Sequence, residues 1–204
     1  MLALYYGPGA CSMAAHIVLE ESGEKYEPVR MDLSKGEQRT EEHLKRNPLG
    51  RVPVLRLDDG QYLPENTAIL PYLGKRFKTW PTDPTKEAKA MSTIGFFAAS
   101  VHPAHAHVGR PERYTADQSA LPGIKDMGLK SFHGHLKQID GMLANREWIG
   151  DSYSVLDPYA FVFYTWGVRR ELPMSELKNY TAFKDRMVKR EATGRVLEDE
   201  KIKV

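Results

Sequence analysis

Residues 2–23 read LALYYGPGACSMAAHIVLEESG, and the change of period inside this stretch decides the fold. Leu2 to Tyr6 is short, apolar and aromatic, and it stops at Gly7-Pro8-Gly9, the pattern of a buried strand running into a turn. From Cys11 the spacing becomes helical, through Met13, Ala14, Ile17 and Val18, and Gly23 closes the helix after Ser22. Tyr26 to Met31 can form a second strand. Two strands joined through a helix favour a parallel pair with a right-handed crossover.

Working outward, a short helical segment is expected over about Arg39–Arg46, then a third strand over Val52–Leu57 (VPVLRL). Asp58-Asp59-Gly60 signals a hairpin, with Gln61-Tyr62-Leu63 as its return strand. Asn66 to Phe77 returns to helical spacing through Ile69, Leu70 and Leu73. Pro71 lies inside that helix and predicts a kink or a late start. The order βαβαββα is that of a thioredoxin-like domain, assigned to residues 1–78. Residues 79–85, with Pro81 and Pro84, read as a linker. Residues 86–204 read as an all-helical domain, with helices near 86–102, 123–145, 154–170, 180–190 and 193–200. The fold class is therefore α/β followed by all-α.

Composition excludes several functions. The 29 basic and 27 acidic residues give a formal net charge of +2, and no dense Lys/Arg block marks a nucleic-acid binder. No run of eighteen apolar residues is present, so no membrane helix is expected. The start of the chain lacks the basic and apolar regions of a secretory signal, which points to the cytoplasm. A single cysteine can form neither an internal disulfide nor a paired-cysteine zinc site.

Three places can carry chemistry. Cys11 falls at the first turn of a helix, where unpaired N–H groups and the helix dipole favour an anion. It reads equally as a reactive or ligand-facing thiol and as a small core cysteine. Ser12 and Tyr6 offer hydroxyls to the same region, or serve as helix cap and core aromatic. Val52-Pro53 opens a strand; a cis bond there would turn the Val52 amide groups toward an extended peptide ligand. At Pro64-Glu65-Asn66-Thr67 a helix N-terminus can receive a carboxylate while Glu65 receives an ammonium, although taken alone the motif reads more readily as a plain N-cap with an acidic first turn. His102, His105 and His107 lack the i, i+4 spacing of a helical metal pair, so no metal is expected. His133-Gly134-His135 reads as an exposed helix face, and Trp166, Phe97 and Tyr114 as core or pocket lining. Ser154-x-x-Asp157 has capping-box spacing, with Tyr153 placed as a hydrophobic staple.

Four runs in register, Tyr6–Ser12 (YGPGACS), Asn47–Leu55 (NPLGRVPVL), Glu65–Ile69 (ENTAI) and Ser154–Tyr159 (SVLDPY), resemble the bacterial beta-class glutathione transferases over essentially the whole chain. The resemblance implies a homodimer that joins glutathione to a hydrophobic electrophile. It implies Cys11 at the glutathione sulfur, the Val52 backbone before Pro53 on the cysteinyl unit, and Glu65 with Asn66 at the γ-glutamyl head. Lys35 would meet the glycyl carboxylate, and His102, on the first helix of the second domain, would approach the sulfur. The Ser154 run would be a folding device. Thiol–disulfide exchange or peroxidase chemistry at Cys11 is an alternative activity, and a non-catalytic binding protein on the same fold is another.

Overall fold

The computed structural model describes residues 1–204. Strand β1 (Ala3–Tyr6) is buried along its whole length. It pairs in parallel with β2 (Glu27–Arg30) and antiparallel with β3 (Val54–Arg56), which pairs antiparallel with β4 (Tyr62–Pro64). The sheet order β2-β1-β3-β4 puts the most apolar strand in the middle and leaves the more polar β2 and β4 at the edges. Tyr5 opposes Val29 on one side and Val54 on the other, so the alternation of β1 delivers Tyr6 and Leu4 to the helix-covered face.

Helix α1 (Met13–Ser22) is buried continuously from Met13 to Leu19 and ends at Gly23 in the left-handed region, with φ 68°. Its all-round burial follows from its neighbours, because it is flanked by α3 (Asn66–Arg76), α7 (Leu156–Arg169) and α9 (Glu191–Glu200). The short α2 (Glu41–Arg46) is capped by Thr40, whose Oγ1 accepts from the His43 N–H. The remaining helices are α4 (Pro84–Phe96), α5 (His102–Gly109), α6 (Leu121–Met142) and α8 (Lys178–Val188). One apolar cluster runs without a break from Leu4 and Ile17 through Leu70 to Phe161 and Phe183, so the sheet domain and the helical domain share a core.

The structure changes two expectations. Pro84 belongs to α4 rather than to the linker; it occupies the first turn behind Asp83, whose carboxylate accepts from the Lys86 N–H. A proline there removes only a donor that is unpaired anyway. Pro71 does not delay α3, which begins at Asn66 and continues to Arg76. Pro103 likewise lies inside a continuous helical run. A π turn at Phe97–Val101 links α4 to α5, His102 keeps helical angles, and its N–H reaches the Phe97 carbonyl five residues back. The wider turn makes room for the proline ring, which would otherwise strike the carbonyl four residues earlier.

Candidate active site

Tyr6 ends β1, and the chain turns through Gly7-Pro8-Gly9 before α1 begins. Ser12 holds this turn together: its Oγ accepts from the Gly7 N–H at 3.1 Å and donates to the Gly7 carbonyl at 3.2 Å. Gly9 has φ 64°, which only glycine adopts without strain, and a Cβ there would lie 2.5 Å from the Arg169 guanidinium. Groups from the helical domain clasp both sides of its peptide. The Gly9 N–H donates to Glu200 Oε2 at 2.6 Å, while Trp166 Nε1 and Arg169 Nη2 donate to the Gly9 carbonyl at 2.9 and 3.1 Å. Glu200 is itself buried and bonded to His16 Nδ1 at 2.8 Å.

This clasp presents Cys11, in the turn just before α1, to a cavity of about 660 Å³ between the two domains. Cys11 Sγ donates to the Val52 carbonyl at 3.4 Å, and the Val52–Pro53 bond is cis. Asn66 Nδ2 donates to the Cys11 carbonyl at 2.9 Å, tying the start of α3 to the same turn. Glu65 beside it takes φ 70°, an uncommon conformation for a residue with a side chain, and lines the cavity. Three segments far apart in sequence thus converge on one wall.

The opposite wall comes from the helical domain. His102 lines it with its ring edge-on to Trp166, the centroids 5.1 Å apart. His105 stacks on Trp166 at 4.1 Å and accepts from Arg170 Nε at 3.3 Å. Burial, then the positive charges of Arg110, Arg51 and Arg113, pulls the His102 imidazole down to about 4. Burial and Arg170 pull His105 down to about 3. Both rings are therefore neutral at neutral pH. Burial, helped by the negative charge of Glu65, pushes the Cys11 thiol up to about 12, against the opposing pull of Arg110 and Arg51. Cys11 holds its proton, so burial outweighs the favourable helix N-terminus.

The N-terminal domain model of the glutathione S-transferases matches residues 1–75. The glutathione S-transferase GstA of Escherichia coli O157:H7 is 30% identical over 99% of this chain and 100% of its own length. The chain belongs to the glutathione S-transferase family. A glutathione transferase homologue from Sulfitobacter, solved with bound glutathione, superposes with a TM-score of 0.92 at 31% identity, covering 100% of this chain and 99% of that one. A beta-class glutathione S-transferase from Sphingomonas chungbukensis gives 0.84 at 31% identity, covering 97% and 98%.

Within this glutathione S-transferase, Cys11, Val52, Pro53, Glu65, Asn66 and His102 come together around one cavity. Three expected residues do not. Tyr6 points its hydroxyl to Asp199 Oδ2 at 2.6 Å, on the far side of β1 toward α9. Ser12 is spent on the Gly7 peptide, fully buried. Lys35 is exposed and pairs with Asp32 at 3.3 Å, outside the cavity lining, because the loop after β2 carries it toward solvent. Phe97 is core, whereas Trp166 and Tyr114 line the cavity. Sequence reasoning missed the arginines of the lining, among them Arg110, Arg113 and Arg170, and the Glu200 clasp. The adjacent Arg169-Arg170 pair at the end of a helix that is otherwise apolar was the available signal.

Proposed function

We propose that the protein joins glutathione to an electrophilic carbon, with glutathione seated along the wall formed by Cys11, Val52 and Glu65. The observation that carries this reading is the convergence of Cys11, Val52 and the start of α3, held together by the Cys11 Sγ–Val52 and Asn66–Cys11 hydrogen bonds. Val52 and Pro53 supply backbone to the cysteinyl unit. Glu65 and the N–H groups at the start of α3 take the ammonium and carboxylate of the γ-glutamyl head, and the Asn66 side chain holds that helix start against Cys11.

In the reaction the glutathione thiol loses its proton to solvent, its sulfur forms a bond to carbon, and a halide or similar group leaves with its electron pair. A free thiol ionises near 8.5, so bringing it to about 6.5–7 requires about 2 kcal/mol of preferential stabilisation of the thiolate. The Cys11 S–H, the neutral His102 ring and the nearby Arg110 are hydrogen-bond and charge donors of the size required. Cys11 acts in this scheme as a donor to the ligand sulfur. Its raised thiol disfavours the disulfide-exchange and peroxidase alternatives, which need a thiolate at this position.

Calorimetric titration with glutathione and a chloronitrobenzene conjugation assay test the reading. We expect Cys11→Ala to bind glutathione and retain conjugation at a rate lowered about 10-fold, the worth of one hydrogen bond to a charged sulfur. Absence of glutathione binding would overturn the proposal, and unchanged conjugation in Cys11→Ala would remove Cys11 from the donors to the thiolate. A homodimer in the cytoplasm accords with the family.

A further inference from the structure

The charge of the cavity is at odds with a purely hydrophobic acceptor. Six arginines line it (Arg39, Arg51, Arg110, Arg113, Arg169 and Arg170) against two carboxylates, Glu65 and Glu112, in a chain whose whole formal net charge is +2. None of the six makes an ion pair, although arginines elsewhere on the molecule do. Arg39 and Arg51 belong to the glutathione side, next to Val52 and Gly50. Arg169 is committed to the Gly9 carbonyl. That leaves Arg110, Arg113 and Arg170 on the acceptor side, facing Glu112 alone.

Arg170 and Arg110 are built into this wall, and Arg113 stands at its exposed rim. Arg170 donates from Nε to His105 Nε2, and His105 is fixed by its stack on Trp166. Gly109 lets the Arg170 guanidinium lie against α5, since a Cβ there would be 2.7 Å from Nη2. Arg110 follows directly, and its buried Nε has no hydrogen-bond partner. A buried donor without an acceptor costs about 1–3 kcal/mol, so this cluster is incomplete as it stands. Burial and the charges of Arg110, Arg51 and Arg39 lower the Arg113 guanidinium, and burial with Arg110 lowers Arg170, which records their mutual repulsion.

We infer that the acceptor substrate is an electrophile bearing a carboxylate, which Arg110, Arg113 and Arg170 bind while its electrophilic carbon faces Cys11 and His102. Guanidinium forks match a carboxylate in two parallel hydrogen bonds and tolerate partial burial, which lysines would do less well. The carboxylate fixes the orientation of the acceptor; the bond changes are those of the transfer already described, sulfur to carbon forming and the leaving group departing. This assignment rests on the glutathione-transfer reading.

The test compares binding of S-benzylglutathione, S-(4-carboxybenzyl)glutathione and glutathione by calorimetry at neutral pH. We expect the carboxylated conjugate to bind about 10-fold tighter than the benzyl conjugate at low salt, with the ratio shrinking as salt is raised. Arg113→Gln should lower that ratio several-fold, Arg110→Gln paired with it should bring it near one, and Arg113→Lys should restore part of it. A ratio of one or less in the unaltered protein, or a ratio that the substitutions leave unchanged, overturns the inference. In that case normal binding of glutathione and of the benzyl conjugate leaves the transferase reading standing, whereas failure of glutathione itself to bind removes both.

Discussion

At the scale of single residues, the chemistry of Cys11 and His102 is governed by burial more than by sequence position. Desolvation outweighs the pull of Arg110 and Arg51 at Cys11 and acts together with the neighbouring arginines at His102, holding the thiol protonated and the imidazole neutral. His102 stays neutral down to about 4, so it contributes no ionisation limb to activity between about pH 5.5 and 8. Conjugation should rise with pH along a single limb set by the glutathione thiol. The His102 ring resonances should stay constant over that range when followed by NMR. A titration near 6.5 would show that the ring is more hydrated than its place beside Trp166 implies. Position identified Cys11 and the family resemblance His102 as candidates; their protonation depends on packing and charges gathered from both domains, which no local pattern records.

At the scale of elements, the entry to α7 carries the second domain. Asp157 is fully buried, and its carboxylate accepts from the Ile149 N–H and the Ser154 N–H, both at 2.8 Å. Ser154 Oγ accepts from the Leu156 N–H at 3.3 Å rather than from the Asp157 N–H, so of the capping-box spacing read from the sequence only the Asp157 half forms. Burial nevertheless pushes Asp157 up to about 7, against these hydrogen bonds. Asp157→Ala leaves two buried N–H groups without an acceptor and should cost about 2–4 kcal/mol, read as a lower denaturation midpoint. Ser154→Ala should cost about 1 kcal/mol. The helix from Pro84 to Gly109 was harder to read. Its two prolines look like breakers in isolation, and the π turn that absorbs Pro103 depends on how Phe97 and Val101 pack in the core.

At the scale of the whole molecule, the active-site turn is fastened by the far end of the chain. Glu200 on α9 accepts from the Gly9 N–H and from His16, and Tyr6 donates to the adjacent Asp199. Glu200→Gln replaces one acceptor by a donor at a buried site, so we expect both a lower denaturation midpoint, by about 2–4 kcal/mol of stability, and weaker glutathione binding. Unchanged glutathione affinity in a destabilised variant would show that the clasp serves stability alone. The shared core also sets the acid response. His102 and His105 are protonated in the unfolded chain near 6.5 but in the folded protein only near 4 and 3, so each withdraws stability as pH falls below about 6.5. Asp157 acts in the opposite sense, since the unfolded carboxyl ionises near 3.8 and the folded one near 7; its contribution is present at low pH and lost as pH rises. With two imidazoles against one carboxyl, stability should fall on acidification between about pH 6.5 and 4.5, and His105→Phe should flatten that slope in chemical denaturation.

The sequence by itself determined the order of elements, the thioredoxin-like start and the helical remainder, because strand and helix periods and their Gly and Pro boundaries are local properties of the chain. It also placed Cys11, Val52, Glu65 and Asn66 in motifs that share one wall. Only the tertiary structure decided that Tyr6 and Ser12 turn away from that wall and that Lys35 lies outside the cavity. It alone brought Arg110, Arg113 and Arg170 together around an unpaired donor. Side-chain direction at the ends of strands and helices depends on which distant group is available to pair, and Asp199 and Glu200 lie nearly the whole length of the chain from the turn they hold. Cys11, read from its position equally as a ligand-facing thiol and as a core cysteine, is in the folded protein a half-buried, proton-bearing donor on the cavity wall, because desolvation exceeds the pull of one helix terminus.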